Sequence, residues 1–232
     1  MVGYRLNHSF DIKEVGKYPQ CKTADYKSSI HDDSFIGNVT NFCEHQEIIV
    51  PDLILTKSAK PTDLISAPIL GYNKKLIISE RFFEFISEFA DENLESLTVK
   101  VIHEGIGQTY NYVVLNFKGD QSNIIDFTKS EVVAEKRDQN RRLELETLNI
   151  KTIRELQTAL YTMKSKGYDS IYINRLFFKN DITDLSLFYL TNVYGYAGYF
   201  VSENMRNQFM KHNFTGISYI PSHLTLQEWM QQ

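Results

Sequence analysis

Cys43-Glu44-His45, with Cys21 and His31 upstream, is where this chain gathers soft and imidazole side chains that could hold a metal. A zinc site takes four ligands, commonly as two close pairs such as C-x-x-C and H-x-x-x-H. Here one C-x-H stands with two scattered groups, and loop composition accounts for it better than a zinc site. Cys21 and Cys43 are the two cysteines of the chain, and neither has a local partner that would activate a thiolate. No G-x-S-x-G elbow is present, so no serine nucleophile is marked. Gly105-Ile106-Gly107 lacks the third glycine and the strand-to-helix setting of a dinucleotide fingerprint. Asp120, Asp126, Glu131 and Glu135 are carboxylates of the type that a glycosidase or a metal-dependent nuclease sets in a cleft. Nothing in their spacing separates that role from a solvated surface. Lys136-Arg137 and Arg141-Arg142 are interleaved with Glu135, Asp138 and Glu144, and mixed signs suit a solvated loop better than a phosphate-tracking groove. These residues yield no catalytic, metal or cofactor assignment.

The elements that position such residues follow from periodicity. Two stretches share one plan, a short apolar strand, then Ser-Glu, then an amphipathic helix. The first runs from Lys75 through Ser79-Glu80 to Ile86, and the second from Tyr199 through Ser202-Glu203 to Met210. Ser79 suits an N-cap, and Glu80 then lies in the first turn, where its charge meets the helix dipole. Phe82, Phe85, Ile86 and Phe89 recur at i, i+3, i+4, i+7 and predict a buried face. Leu97, Val99 and Val101, then Tyr110, Tyr112 and Val114, alternate with their neighbours around a Gly-containing loop, which predicts an antiparallel hairpin. Asp52–Leu55, Ile124–Phe127, Glu131–Val133, Ser170–Ile173 and Thr215–Pro221 read as short strands, the last after a turn. Pro61 and Pro68 are expected to bound a short helical turn. Thr152 and Glu155 have capping-box spacing ahead of the stripe Ile153, Leu156, Leu160, Met163, and Gly167 is placed to end that helix. Residues 134–142 are expected to be an exposed loop or a strand extension. The fold class is α+β, with a mixed or mainly antiparallel sheet and packed helices. Residues 1–50 are expected to form an N-terminal segment or small lobe, and 51–232 the main domain.

With 232 residues, 42% of them hydrophobic and 23% charged, the chain can build a core without disulfides or metals. A net charge of −4 gives no basic field for nucleic acid. No apolar run approaches the roughly 18 residues of a membrane helix, and no signal peptide is expected at the start. The aromatic share is 13%. Around Tyr194-Gly195-Tyr196-Ala197-Gly198 and Tyr199 it is dense enough to suggest either core or a binding surface. Tyr194, Tyr196 and Tyr199, with Glu135 and Asp138, are the residues expected to meet a protein partner.

Pro51-Asp52-Leu53-Ile54-Leu55-Thr56-Lys57, Pro61-Thr62-Asp63 and Leu76-Ile77-Ile78-Ser79-Glu80-Arg81 resemble the opening pattern of immunity-protein family eleven of bacterial polymorphic toxin systems. The likeness resumes at Tyr112–Asn116 and Ile125–Ser130, and ends at Gly198–Glu203 and Thr215–Pro221. It covers residues 51–221 apart from the polar stretch near 134–150. The resemblance implies a cytoplasmic protein that binds a cognate toxin and blocks it, with no enzyme activity and no cofactor; charge and hydropathy give the expectation of no nucleic-acid or membrane partner. A carboxylate- or metal-dependent hydrolase and an adaptor module of a secretion system are the alternatives.

Overall fold

The computed structural model describes residues 2–26, 30–39, 42, 47–72, 75–89, 94–119, 121–138, 142–179, 187–190 and 198–231. Among these, the elements in chain order are β1 (Tyr4–His8), α1 (Ile12–Val15), β2 (Cys21–Asp25), β3 (Asp52–Leu55), β4 (Leu64–Ile65), β5 (Leu76–Ser79), α2 (Glu80–Ser87), β6 (Leu94–His103) and β7 (Thr109–Phe117). Then follow β8 (Glu131–Arg137), β9 (Leu143–Leu148), α3 (Ile153–Thr162), β10 (Ser170–Arg175), β11 (Leu187–Leu190), β12 (Gly198–Val201), α4 (Glu203–Lys211), β13 (Ile217–Pro221) and α5 (Leu226–Met230). The fold is α+β with mixed and antiparallel sheets, as the periodicity predicts. No helix among the described residues is long and apolar enough to cross a membrane.

The chain divides into two compact units, and both are discontinuous. An N-terminal unit comprises Asn7–Lys118 and Phe209–Ser218; a C-terminal unit comprises Met1–Leu6, Gly119–Gln208 and Tyr219–Gln232. Pro51, the expected boundary, lies inside the N-terminal unit, where β2 pairs with β3 across it.

The N-terminal unit is built on a six-stranded sheet in the order β2-β3-β6-β7-β5-β4. Its centre is the predicted hairpin: β6 and β7 pair antiparallel from Leu94↔Phe117 to Ile102↔Thr109. Within this sheet β3 and β6 run parallel, with Leu53 opposite Val101. Alternation turns Val99, Val101, Tyr112 and Val114 into one buried layer with Leu53, Leu55, Phe35 and Ile36. The segment between Pro61 and Pro68 is not helical. Leu64 and Ile65 form β4 and pair with Ile78 and Ile77. Both side chains are fully buried, and sheet pairing serves two adjacent apolar residues better than an isolated turn. On α2, Phe82 and Ile86 are buried and Phe85 is half-buried, but Phe89 is exposed, because the helix ends at Ser87. Phe82 meets Phe209 edge-on at 4.8 Å and Phe214 at 4.4 Å.

The C-terminal unit holds a three-stranded antiparallel sheet, β10-β8-β9. It also holds strands of the sheet β11-β12-β1-β13, in which Tyr4 and Arg5 of β1 pair with Val201 and Phe200. Val132, Ala134, Ile171 and Ile173 form its core with Leu156 and the aromatic group Phe178, Phe188 and Phe200. The α3 stripe behaves as expected: Leu156 is buried, and Ile153, Leu160 and Met163 pack beside it. Thr152 caps this helix, which ends at Thr162; a 3-10 turn over Lys164–Lys166 follows, and it is this turn that Gly167 ends at φ +77°. The expected strand at Ile124–Phe127 is instead a short 3-10 turn over Ser122–Ile124 and a single bridge from Ile125 to Phe178. Asp126 explains the break, since its carboxylate accepts from the Thr128 amide at 3.1 Å and bends the chain.

Candidate protein interface

Four residues from the stretches that carry the family resemblance, Asp63, Ser79, Arg81 and Thr215, meet in one polar clamp in the N-terminal unit. Asp63 Oδ1 accepts from Ser79 Oγ at 2.6 Å and Arg81 Nε at 2.7 Å. Its Oδ2 accepts from Arg81 Nη2 at 2.5 Å, Thr215 N at 2.8 Å and Thr215 Oγ1 at 2.9 Å. The Asp63 backbone also takes part, its N–H donating to Thr215 Oγ1 and its carbonyl accepting from Ser79 N. Gly216 follows at φ +79°, where a Cβ would press into the Leu64 carbonyl and the Thr62 hydroxyl. Burial pushes the Asp63 carboxyl up, but the bonds from Arg81, Ser79 and Thr215 outweigh burial and hold it below its ordinary value. The carboxylate is saturated and nearly inaccessible, so its chemistry is that of a tie between β4, α2 and the turn before β13. Ser79 serves twice, since its Oγ also accepts from Phe82 N at 3.3 Å and caps α2. In the second Ser-Glu unit, Ser202 Oγ accepts from Met205 N at 3.2 Å. Both serines are therefore helix caps.

The metal-like group does not assemble among the described residues, none of whose His, Cys, Asp and Glu side chains gather in threes for an ion. Cys43, Glu44 and His45 lie outside the described residues. Cys21 is buried in the sheet core, and burial pushes its thiol up to about 12. An open groove of about 440 Å³ runs along α3, lined by Thr152, Arg154, Glu155, Thr158, Thr162 and Lys166. Its hydroxyls at Thr158 and Thr162 are spent on carbonyls of their own helix.

Of the residues expected to meet a partner, Tyr194 and Tyr196 lie outside the described residues. Tyr199 is 5% exposed on β12, with its ring 4.7 Å from that of Tyr189. Glu135 and Asp138 share the β8–β9 hairpin. Asp138 closes its turn: Oδ1 accepts from Arg142 N at 2.7 Å, and the Asp138 N–H donates to the Arg142 carbonyl at 3.0 Å. Glu135 accepts from Ser170 Oγ at 2.7 Å and Tyr172 Oη at 2.9 Å on the neighbouring strand. Burial, followed by the Glu135 bond and the charges of Glu135 and Glu131, pushes the Tyr172 phenol up to about 12.

This hairpin presents a surface that neither residue predicts alone. The register from Val132↔Leu148 to Arg137↔Leu143 runs unbroken. Side chains alternate across a strand, so Leu143, Leu145 and Thr147 share one face of β9, while Glu144, Glu146 and Leu148 share the other. Leu148 packs on the core. Leu143 and Leu145 stand in solvent, 53% and 57% exposed. Cross-strand pairing sets Leu145, Glu135 and Ser170 in one row, and Thr147, Val133 and Tyr172 in the next. The result is an apolar strip bordered by a fixed carboxylate and a phenol, the mixture that protein interfaces favour. On the opposite face Lys136 Nζ lies 3.5 Å from Glu144 and 3.9 Å from Glu146. The signal was present in the chain as the alternation Leu143-Glu144-Leu145-Glu146-Thr147-Leu148. It is easily passed over, because the charged stretch before it reads as loop.

Neither protein-family models nor curated proteins give a match to the chain.

Proposed function

We propose that this protein is an immunity protein that binds a cognate bacterial toxin in the cytoplasm and blocks it by direct contact, without catalysis or cofactor. The observation that supports a binding role is the strip of Leu143 and Leu145 beside Glu135 and Tyr172. Two large aliphatic side chains held in water on a regular strand contribute little to the fold and much to a contact that covers them. The toxin as partner rests on the resemblance of residues 51–221. Steric occlusion of the toxin's active site is the simplest mechanism, and a net charge of −4 favours encounter with a basic toxin surface.

The test is co-expression with the toxin encoded beside its gene, followed by co-purification and a growth assay. A stable complex and restored growth are expected. Leu143→Asp with Leu145→Asp is expected to weaken the complex by about 1–3 kcal/mol or more while the protein keeps its melting temperature. Absence of both complex and protection defeats the proposal.

A further inference from the structure

We infer that β9 takes up an extended strand of its partner, basic on one face and apolar on the other. This rests on the hairpin being the docking surface. Among the described residues, β9 is the edge of its sheet. Natural sheet edges are guarded by proline, bulges or charged side chains, because an open edge offers unpaired N–H and C=O groups to any other strand. Between Leu143 and Leu148 there is no proline, glycine or lysine, and the pairing with β8 contains no bulge. The edge is regular, and what guards it is the charge of Glu144 and Glu146, which disfavours an acidic strand and admits a basic one.

The side chains specify what it accepts. An added strand must alternate in step with β9, since directly opposed residues share a face. Opposite Leu143, Leu145 and Thr147 it needs apolar groups. Opposite Glu144 and Glu146 it needs cations: among the described residues the Lys136 ammonium approaches both carboxylates, and the further donor to Glu146, the Tyr168 hydroxyl at 2.9 Å, is neutral. A second copy of β9 fits poorly. Added antiparallel about a twofold axis normal to the sheet, it doubles the carboxylate row on one face, and like charges directly opposed are destabilising. A strand of alternating lysine or arginine and β-branched residues satisfies both faces, and its backbone completes the ladder. Strand addition of this kind draws affinity from the main chain and specificity from alternate side chains.

The probe is a fluorescein-labelled, end-blocked (Lys-Val)₃ peptide titrated with the full-length protein at low salt and followed by anisotropy. Saturable binding is expected, at least tenfold tighter than for (Glu-Val)₃, and lost when alternate amides of the probe are N-methylated. Glu144→Lys with Glu146→Lys is expected to weaken it at least tenfold without changing the circular dichroism spectrum. Equal affinity for the two peptides, or indifference to N-methylation, overturns the inference. So does a concentration-dependent dimer abolished by Leu145→Lys. If the toxin is neutralised equally by the charge-reversed protein, strand addition fails and the immunity reading stands. If the peptide binds as described and no toxin is neutralised, the reverse holds.

Discussion

Replacing Asp63 with alanine should be among the most damaging changes in the N-terminal unit. The side chain is 6% exposed, and its two oxygens accept from Ser79, Arg81 and Thr215, with donor distances from 2.5 to 2.9 Å. The donors divide into two kinds. Arg81 is 55% exposed in its side chain, so water takes over much of its role and its share is about 1 kcal/mol or less. The Thr215 N–H and the Ser79 hydroxyl are half-buried or better, and a hydrogen bond to a charged acceptor is worth about 1.5–3 kcal/mol. Two such bonds, added with allowance for shared geometry, give about 3–4 kcal/mol for Asp63→Ala. That is a large part of the roughly 5–15 kcal/mol that holds a domain together. Arg81→Ala should cost about 1–1.5 kcal/mol, which includes loss of its cation–π contact 4.9 Å above the Phe214 ring. Urea unfolding followed by far-UV circular dichroism measures both, and hydrogen exchange at Thr215 N reports the tie itself. The pH dependence is a second check. The folded carboxyl is held below its ordinary 3.8, so its contribution is complete above that value and fades as pH falls through the lower folded one. The gap between the wild type and Asp63→Asn should be constant from pH 7 down to about 5 and narrow in more acid solution. Equal losses for Asp63→Ala and Arg81→Ala, or a gap that widens in acid, would refute the reasoning.

Gly216→Ala should cost at least about 2 kcal/mol, from a positive φ and from overlap with the Leu64 carbonyl and Thr62 hydroxyl; thermal melting reads it, and a loss under 1 kcal/mol would count against the turn described. The Cys21 thiol, pushed up to about 12 by burial, should stay unlabelled by Ellman's reagent at pH 8 in a Cys43→Ser background and react fully in denaturant. Arg175 and the Thr225 amide draw the Glu228 carboxyl down to about 2. The capping box of α5 should therefore keep its charge until pH falls through about 2, where its stabilisation disappears, and an NMR titration of the Glu228 side chain follows the change.

Much of the local structure was legible in the chain because it depends on neighbours. Ser79 and Thr152 cap helices through their own third residue onward, Gly167 and Gly216 take the positive φ that ends a helix or makes a turn, and the alternation of Leu97–Val101 with Tyr110–Val114 can bury one face only as paired strands. Where neighbours were ambiguous, the reading failed. Leu64 and Ile65 between two prolines look like a turn until β5 is present to pair with them. Phe89 continues a helical stripe in a helix that has already ended. The site was less legible than the fold. Asp63 and Thr215 are 152 residues apart in the chain, so their union is a property of long-range packing. The exposure of Leu143 and Leu145 is likewise decided by an edge, and an edge exists only where no further strand arrives. A sequence states which residues prefer burial; which of them are left in water is settled by the pairing of distant segments, and that remainder is the surface on which this protein's proposed function rests.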